Sequence, residues 1–251
     1  MQGIWKRWAA NAVLLTLLLL TVGCATGPNA NPKDPLEPMN RSITKFNDAL
    51  DDNVLKPVAT GYRDYTPELV QTGVGNFFRN LSDVLSTVNN GLQLKGRDTA
   101  ESLMRVVVNT IFGIYGIFDV ATPIGLERHP EDFGQTLGYW GVPDGPYLVL
   151  PIFGPSTVRD AAALPAEFAI DPVNHHPDVS ERNVAIATRI VDKRASLLKT
   201  TSLLSDAAID KYSFTRDGYL QFRRNQVYDG NPPEHEQLED PSAEPALPSA
   251  K

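Results

Sequence analysis

Apolar residues recur with a helical period along most of the chain. Met39, Ile43, Phe46, Leu50 and Val54 share one face, and Pro57 predicts that this helix ends at or before Lys56. Val74, Phe77, Phe78, Leu81, Val84, Leu85, Val88 and Leu92 make a second face, with Gly91 or Gly96 as the stop. Asp178-Val-Ser-Glu181, after Pro177, reads as a capping box. Ile186, Ile190, Val191, Leu197 and Leu198 continue that helix, and a last helical pattern runs from Ala207 to Asn225. No segment sustains the two-residue alternation of a half-buried strand, so the class is mainly α. Between Glu131 and Pro177 the period breaks into glycines, prolines and aromatics, with short apolar runs such as Tyr147-Leu-Val-Leu150. Such a region fits a loop packed on a core or aromatics at a membrane interface.

Leu103 to Ala121 is the most apolar stretch after the N-terminal segment. On a helix of about 100° per residue, Arg105, Asn109, Gly113, Gly116 and Asp119 fall on one stripe. Val106, Val107, Ile111, Ile114, Tyr115, Ile117 and Phe118 cover most of the remaining circumference. A soluble surface helix has the opposite proportions. The expectation is a helix that is buried or in contact with lipid, its polar stripe facing protein or a hydrated path. The stripe residues are thus the candidate pore or headgroup path. On one helix Arg105 and Asp119 would lie about 21 Å apart, each needing its own partner or water.

The ends of the chain differ from its middle. Lys6 and Arg7 precede an apolar run from Trp8 to Val22, the pattern of a secretory signal peptide. The single cysteine follows directly, and Leu20-Thr21-Val22-Gly23-Cys24 resembles a bacterial lipobox. That resemblance implies removal of residues 1–23 and a covalent lipid on Cys24. Ala25 in place of an aspartate points to the outer membrane. One acyl chain binds membranes only marginally, so a second membrane contact is expected elsewhere in the chain. Residues 24–33 read as a tether and 34–228 as the folded domain. Residues 229–251, acidic and rich in proline, read as a disordered tail.

Charge and reactive groups exclude several functions. A net charge of −7 argues against nucleic acid as a partner. One cysteine excludes an intramolecular disulfide and any zinc site needing two thiolates. Gly154-Pro-Ser156-Thr-Val158 misses the last glycine of a nucleophile elbow, and no alternating β/α pattern surrounds it. His175 and His176 lie between Asp171 and Asp178 on a proline-flanked loop that reads as solvated, while His129 and His235 fall in polar turn or tail segments. No metal, cofactor or catalytic residue is expected, and no Gly-rich phosphate loop occurs.

Many ordered strings resemble the MlaA/VacJ family of outer-membrane lipoproteins. They begin with Asp34-Pro35-Leu36-Glu37-Pro-Met-Asn40-Arg41, Phe46-Asn47, Lys56-Pro-Val-Ala59 and Gly73-Val-Gly-Asn-Phe77. They continue through Asn90-Gly-Leu-Gln-Leu-Lys-Gly96, Asn109-Thr110 with Gly113, and Asp119-Val-Ala121. The match is densest in Asp132-Phe-Gly134-Gln-Thr-Leu-Gly138, Gly145-Pro-Tyr147, Gly154-Pro-Ser156 and Arg159-Asp160, with Tyr212, Arg216, Tyr219 and Arg223-Arg224 near the end. The resemblance implies an all-α, compact, ring-like bundle of amphipathic helices embedded in the inner leaflet of the outer membrane, facing the periplasm. It also implies removal of mislocalised phospholipids from the outer leaflet and their transfer to a soluble periplasmic phospholipid carrier, with a trimeric outer-membrane porin as partner. Phospholipid would be the transported ligand. The alternative is a structural lipoprotein that scaffolds other outer-membrane proteins without moving lipid.

Overall fold

The structure, a computed structural model, describes residues 34–207 and 209–233, the side chains of residues 203–207 apart. The signal segment, Cys24, the tether and residues 234–251 of the tail lie outside the described residues.

The fold is mainly helical. Helix α1 (Glu37–Leu50) runs through a single π turn (Asp51–Leu55) directly into α2 (Lys56–Tyr65). Pro57 therefore does not end the helix. A proline clashes with the carbonyl four residues back in a regular helix. Here the Lys56 amide reaches the carbonyl of Asp51, so the ladder is already widened where the ring enters. Arg194 holds this turn from the far side, its guanidinium bonded to both Asp51 carboxylate oxygens at 2.6 and 2.7 Å.

Helix α3 (Glu68–Leu92) and α4 (Gly96–Ile111) form the main helical pair. The reversal between them needs no glycine. Leu94 takes a φ of 60°, while the Lys95 amide bonds the Asn90 carbonyl and the Leu94 amide bonds that of Gly91. Helix α5 (Phe133–Tyr139) is capped by Asp132, whose side chain accepts from the Gln135 amide.

An antiparallel hairpin follows, β1 (Tyr147–Leu150) with β2 (Gly154–Thr157), which pairs Tyr147 with Thr157 and Leu150 with Gly154. Alternation over four residues, with Tyr147 and Val149 buried, was too short to predict it. The Thr157 side chain caps α6 (Val158–Ile170). A 3₁₀ turn (Pro172–His175) leads to α7 (Val179–Ala207), where the Asp178 carboxylate accepts from the amides of Ser180 and Glu181 as the capping pattern predicted. Helix α8 (Lys211–Val227) closes the described chain. Residues 229–233, assigned to the tail from composition, are still docked. Asp229 takes Lys95 Nζ at 2.6 Å, and the Pro233 carbonyl takes Arg224 at 2.8 Å.

The interior is unusual for its polarity. Among the described residues 19 polar or charged side chains are buried against 12 hydrophobic ones, whereas Asn, Gln, Asp and Arg are normally surface residues. Gln93, Asn40, Asn89, Asn90 and Asp34 are at most 1 % exposed. Apolar packing is confined to small patches, such as Ala59 with Ala195, Leu198 and Tyr62 where α2 meets α7. Meanwhile Phe46, Leu69, Ile111, Phe112, Ile152 and Phe222 are more than half exposed. No helix among the described residues is long and apolar enough to cross a membrane.

Two carboxamides on one face of α1 bind the hairpin. Asn40 donates to the Tyr147 carbonyl at 3.0 Å and accepts from the Val149 amide at 2.8 Å. Asn47 donates to the Leu150 carbonyl at 2.9 Å and accepts from the Ile152 amide at 2.8 Å. Each side chain thus copies the pairing of a neighbouring strand along the free edge of β1.

Candidate functional site

The predicted helix from Leu103 to Ala121 stops at Ile111. Residues 112–118 turn back, with the Tyr115 amide on the Thr110 carbonyl, that of Gly116 on Asn109 and that of Phe118 on Gly113. The stripe is therefore not a line along one helix. The reversal gathers its polar members into a cluster, and the expected separation of Arg105 from Asp119 does not hold. Arg105 NH2 lies 3.3 Å from both carboxylate oxygens of Asp119.

Arg105 is buried, and its other donors go to Asp83 on α3 at 3.3 Å, the Leu126 carbonyl at 2.6 Å and the Thr122 hydroxyl at 3.2 Å. Asp83 is shared with Arg128, at 2.7 Å. Two guanidinium groups thus face two carboxylates, a neutral group of charges with its hydrogen bonds filled, which is what burial of ions requires. Asn109 completes it. Its amide donates to Asp119 at 3.2 Å, and its oxygen accepts from the amides of Val120 and Ala121 at 2.8 and 2.9 Å. Burial pushes the Asp119 carboxyl up, but hydrogen bonds from the Thr122 hydroxyl and amide and the charge of Arg105 outweigh it and hold the group at about 2. Asp119 is also the more accessible of the two carboxylates, its side chain 29 % exposed against 4 % for Asp83.

The two glycines of the predicted stripe serve the turn. Gly116 has a φ of 89°, and a Cβ there would lie 2.5 Å from Asn80 Cβ. At Gly113 a Cβ would meet the Phe118 carbonyl oxygen at 2.1 Å. Asn80 and Asn76 fasten the turn to α3, through the Thr110 hydroxyl at 3.0 Å and the Ile117 carbonyl at 2.9 Å. At its apex Ile114 and Tyr115 are exposed with φ of 52° and 56°. A left-handed conformation costs such residues about 1–2 kcal/mol each, so the cluster below must hold the apex in place. A groove of about 720 Å³ lies beside the turn, walled by α3, by Ile117 and Phe118, and by the start of α7.

The other candidate residues staple the fold elsewhere. Arg223 on α8 bonds Asp160 at 2.8 Å and Asp132 at 2.5 Å, and Tyr219 donates to Asp160 at 2.9 Å. Arg159 pairs with Asp144 and Asp160. Gly134 lies under this lock, where a Cβ would come within 2.4 Å of Arg223. Gly138 packs against Arg159 and Val227. Nearby, Glu167 accepts from the Phe133 amide at 3.2 Å, and burial together with the charge of Asp132 pushes its carboxyl up to about 7. Asp34 accepts from Tyr212 at 2.5 Å and Arg216 at 3.2 Å, while Arg41 bridges Glu37 and Asp210, both at 2.7 Å. Leu36, following Pro35, gives its carbonyl to the Asn40 amide, and Phe46 stays exposed.

Asp83 and Asn80 lie on the polar face of α3, which its apolar period does not mark, and Arg128 lies in the irregular segment before α5. A row of Asn80, Asp83, Ser86 and Asn90 at helical spacing on the other face was available in the sequence, and all four are buried. Ser156 is buried in β2, its hydroxyl donating to the Thr157 carbonyl. His175 lies against the Asp171 carbonyl and His176 against Glu181. Among the described residues one group could offer metal ligands, Glu101, Glu127 and His129, whose ligand atoms lie within 4.8 Å of one another. Glu101 there already takes Arg97 at 2.8 Å and His129 at 2.7 Å.

Comparison with known proteins gives a consistent result. Residues 32–226 match the family described as MlaA lipoprotein. The intermembrane phospholipid transport system lipoprotein MlaA of Escherichia coli K12 is 34 % identical over 226 residues, which cover 86 % of each chain. An uncharacterized protein of Rickettsia typhi is 41 % identical over 197 residues, 77 % of this chain and 78 % of that one. A solved structure from work on the "structural basis for maintenance of bacterial outer membrane lipid asymmetry" superposes with a TM-score of 0.65 at 33 % identity, covering 79 % of this chain and 99 % of that one.

Proposed function

The chain belongs to the MlaA lipoprotein family, and from that membership we propose that it transports phospholipid between membranes and so maintains outer-membrane lipid asymmetry. It removes mislocalised phospholipids from the outer leaflet and passes them to a soluble periplasmic carrier, beside a trimeric porin. Its action is non-covalent. It is held at the periplasmic side by a lipid on Cys24.

The observation that carries this reading is the reversed distribution of polarity. Ionic and amide groups are paired inside while Phe112, Ile114, Phe153 and Phe222 face outward, and no described helix is fit to span a bilayer. Such a surface is satisfied by acyl chains on its outside, and a body without spanning helices suits one leaflet. Of the candidate path residues, Asp119 is the one left accessible to a headgroup. Arg105, Asn109, Gly113 and Gly116 act by positioning the turn.

The test is to delete the protein in its host and measure phospholipid in the outer leaflet, with and without the wild-type chain or Cys24→Ala. Accumulation on deletion, reversed by the wild-type chain but not by Cys24→Ala, is the expected result. Unchanged outer-leaflet phospholipid, with loss of another outer-membrane protein instead, would replace transport by scaffolding.

A further inference from the structure

We infer that Glu101, Glu127 and His129, with Asp98 behind them, form a site for one divalent metal ion of the zinc type, which clamps the segment leaving the turn onto α4. The inference is independent of the transport reading. Glu101, Glu127 and His129 bring one ligand atom each within 4.8 Å of one another. Asp98 and Glu101 stand three residues apart on one face of α4. Glu127 and His129 come from the segment before α5, with Arg128 between them turned to the buried Asp83. The buried Asn90 amide holds the His129 carbonyl at 3.0 Å, and the Leu126 carbonyl, next to Glu127, takes Arg105 at 2.6 Å. The backbones that carry the ligands are thus fixed by other contacts. Their separation in the chain hides the set from a reading of spacing, and the reversal after Ile111 joins it.

The imidazole points to a cation. Its Nε2 lies 2.7 Å from a Glu101 carboxylate oxygen and its Nδ1 3.7 Å from one of Asp98. A neutral imidazole has a single N–H. With that hydrogen on Nδ1, toward Asp98, the lone pair of Nε2 faces a carboxylate, and two acceptors so close need a cation between them. A proton would serve the pair, but a proton bridges two acceptors and has no use for the third, Glu127. A metal ion takes all three, and Asp98 then stands where an outer carboxylate orients a metal-bound histidine. Arg97 holds the other oxygen of Glu101, Oε1, at 2.8 Å, which leaves Oε2 to the ion. Neighbouring ligand atoms of a tetrahedral zinc site are about 3.4 Å apart, a closure within reach of the exposed Glu127 side chain. An imidazole among the ligands favours zinc over magnesium or calcium, which prefer oxygen alone. On entry the ion displaces the proton of the His129–Glu101 pair to solvent. Glu101 lies one helical turn before Arg105, so the ion extends the ionic brace along the same face of α4.

Zinc titration of the full-length lipoprotein, stripped with EDTA in detergent, tests this by calorimetry and hydrogen exchange. One zinc ion should bind at micromolar concentration, slow amide exchange over residues 119–130 and raise the urea midpoint, while millimolar magnesium and calcium do neither. Glu127→Gln, on an exposed side chain, should weaken binding by about tenfold or more and remove the zinc-dependent protection, and His129→Gln should do the same. Asp98→Asn should weaken it about tenfold, as loss of an outer partner does. His176→Gln should leave binding unchanged. The proposal is overturned if Glu127→Gln binds zinc as tightly as the wild type, or if zinc protects only residues 172–181, where His175 and His176 lie. It is equally overturned if no zinc binds below millimolar concentration, which leaves a proton alone between His129 and Glu101. Outer-leaflet phospholipid is not measured here, so failure of the metal site leaves the transport reading standing.

Discussion

Two buried ionic groups brace this molecule, and they differ in balance. Around Arg105 two guanidinium groups meet two carboxylates, and Asp119 is held at about 2. Around Arg223, the carboxylates of Asp132, Asp160 and Glu167 crowd against Arg223 and Arg159, the latter also serving Asp144. Hydrogen bonds and the charges of Arg223 and Arg159 overcome burial at Asp160 and hold its carboxyl low. Glu167 has no cation of its own and is pushed up to about 7. The number of partners per carboxylate, more than depth of burial, decides which group can change its charge near neutral pH. The first cluster is thus a fixed brace beneath the exposed turn, and the second carries a proton that comes and goes.

Removing the brace should have the largest effect. Arg105→Ala leaves Asp83 and Asp119 facing a buried gap and should cost about 3–5 kcal/mol in urea unfolding of the detergent-solubilised protein. Arg105→Lys should recover only part of this, since one ammonium cannot replace the guanidinium's contacts to Asp83, Asp119, Thr122 and Leu126. A loss below 1 kcal/mol for Arg105→Ala would mean that the turn supports itself. Gly116→Ala attacks the same region through the backbone, and its left-handed φ and approach to Asn80 predict about 1–3 kcal/mol in the same measurement.

The second cluster is separated from the first by pH. The Glu167 carboxyl is raised from 4.5 to about 7, so the folded state holds this proton more tightly than the unfolded chain does. Its stabilising contribution is complete below the unfolded value and fades as pH rises through about 7. Glu167→Gln should therefore flatten the decline in stability between pH 5 and pH 8, a difference of about 1–3 kcal/mol. The Asp119 group titrates too low to contribute over that window. An unchanged pH slope in Glu167→Gln would remove the distinction between the clusters. The smallest effect belongs to truncation before Asn231, which keeps the Lys95–Asp229 pair and should change stability by no more than about 0.5 kcal/mol. A larger loss would show that the acidic segment is a third brace.

How far the sequence could be read follows the range of the forces. The last helix begins at Lys211 behind Asp210 and not at Ala207, which ends α7, whereas the start of α7 was legible because a cap is local, as at Asp178. The π turn was not, because Pro57 is a sound stop signal and only the Asp51–Arg194 contact, 143 residues apart, shows what holds the widened turn. Residues 103–121 failed in a more instructive way. Arg105, Asn109 and Asp119 of the stripe do converge, and Gly113 and Gly116 lie in the turn that brings them together. Yet polar residues that look toward water on a helical projection were looking at one another across a reversal. Their missing partners, Asp83 and Arg128, sit on segments that no single-helix period can bring together.

The paired amides of Asn40 and Asn47 make α1 a gauge for the hairpin. Seven residues of helix advance about 10.5 Å, and over that span the two amides reach backbone amides three residues apart on the hairpin, those of Val149 and Ile152. Both amides can therefore close on the backbone together, like two teeth of one rack. Substitutions on the outer side of α1 leave this spacing untouched. A single-residue deletion between the two asparagines does not, because it swings one tooth about 100° out of line and shortens the step at once. The hairpin would then keep one clasp and lose the other, which leaves its position along the helix undefined. Length is what residues 41–46 have to preserve if the hairpin is to keep both clasps.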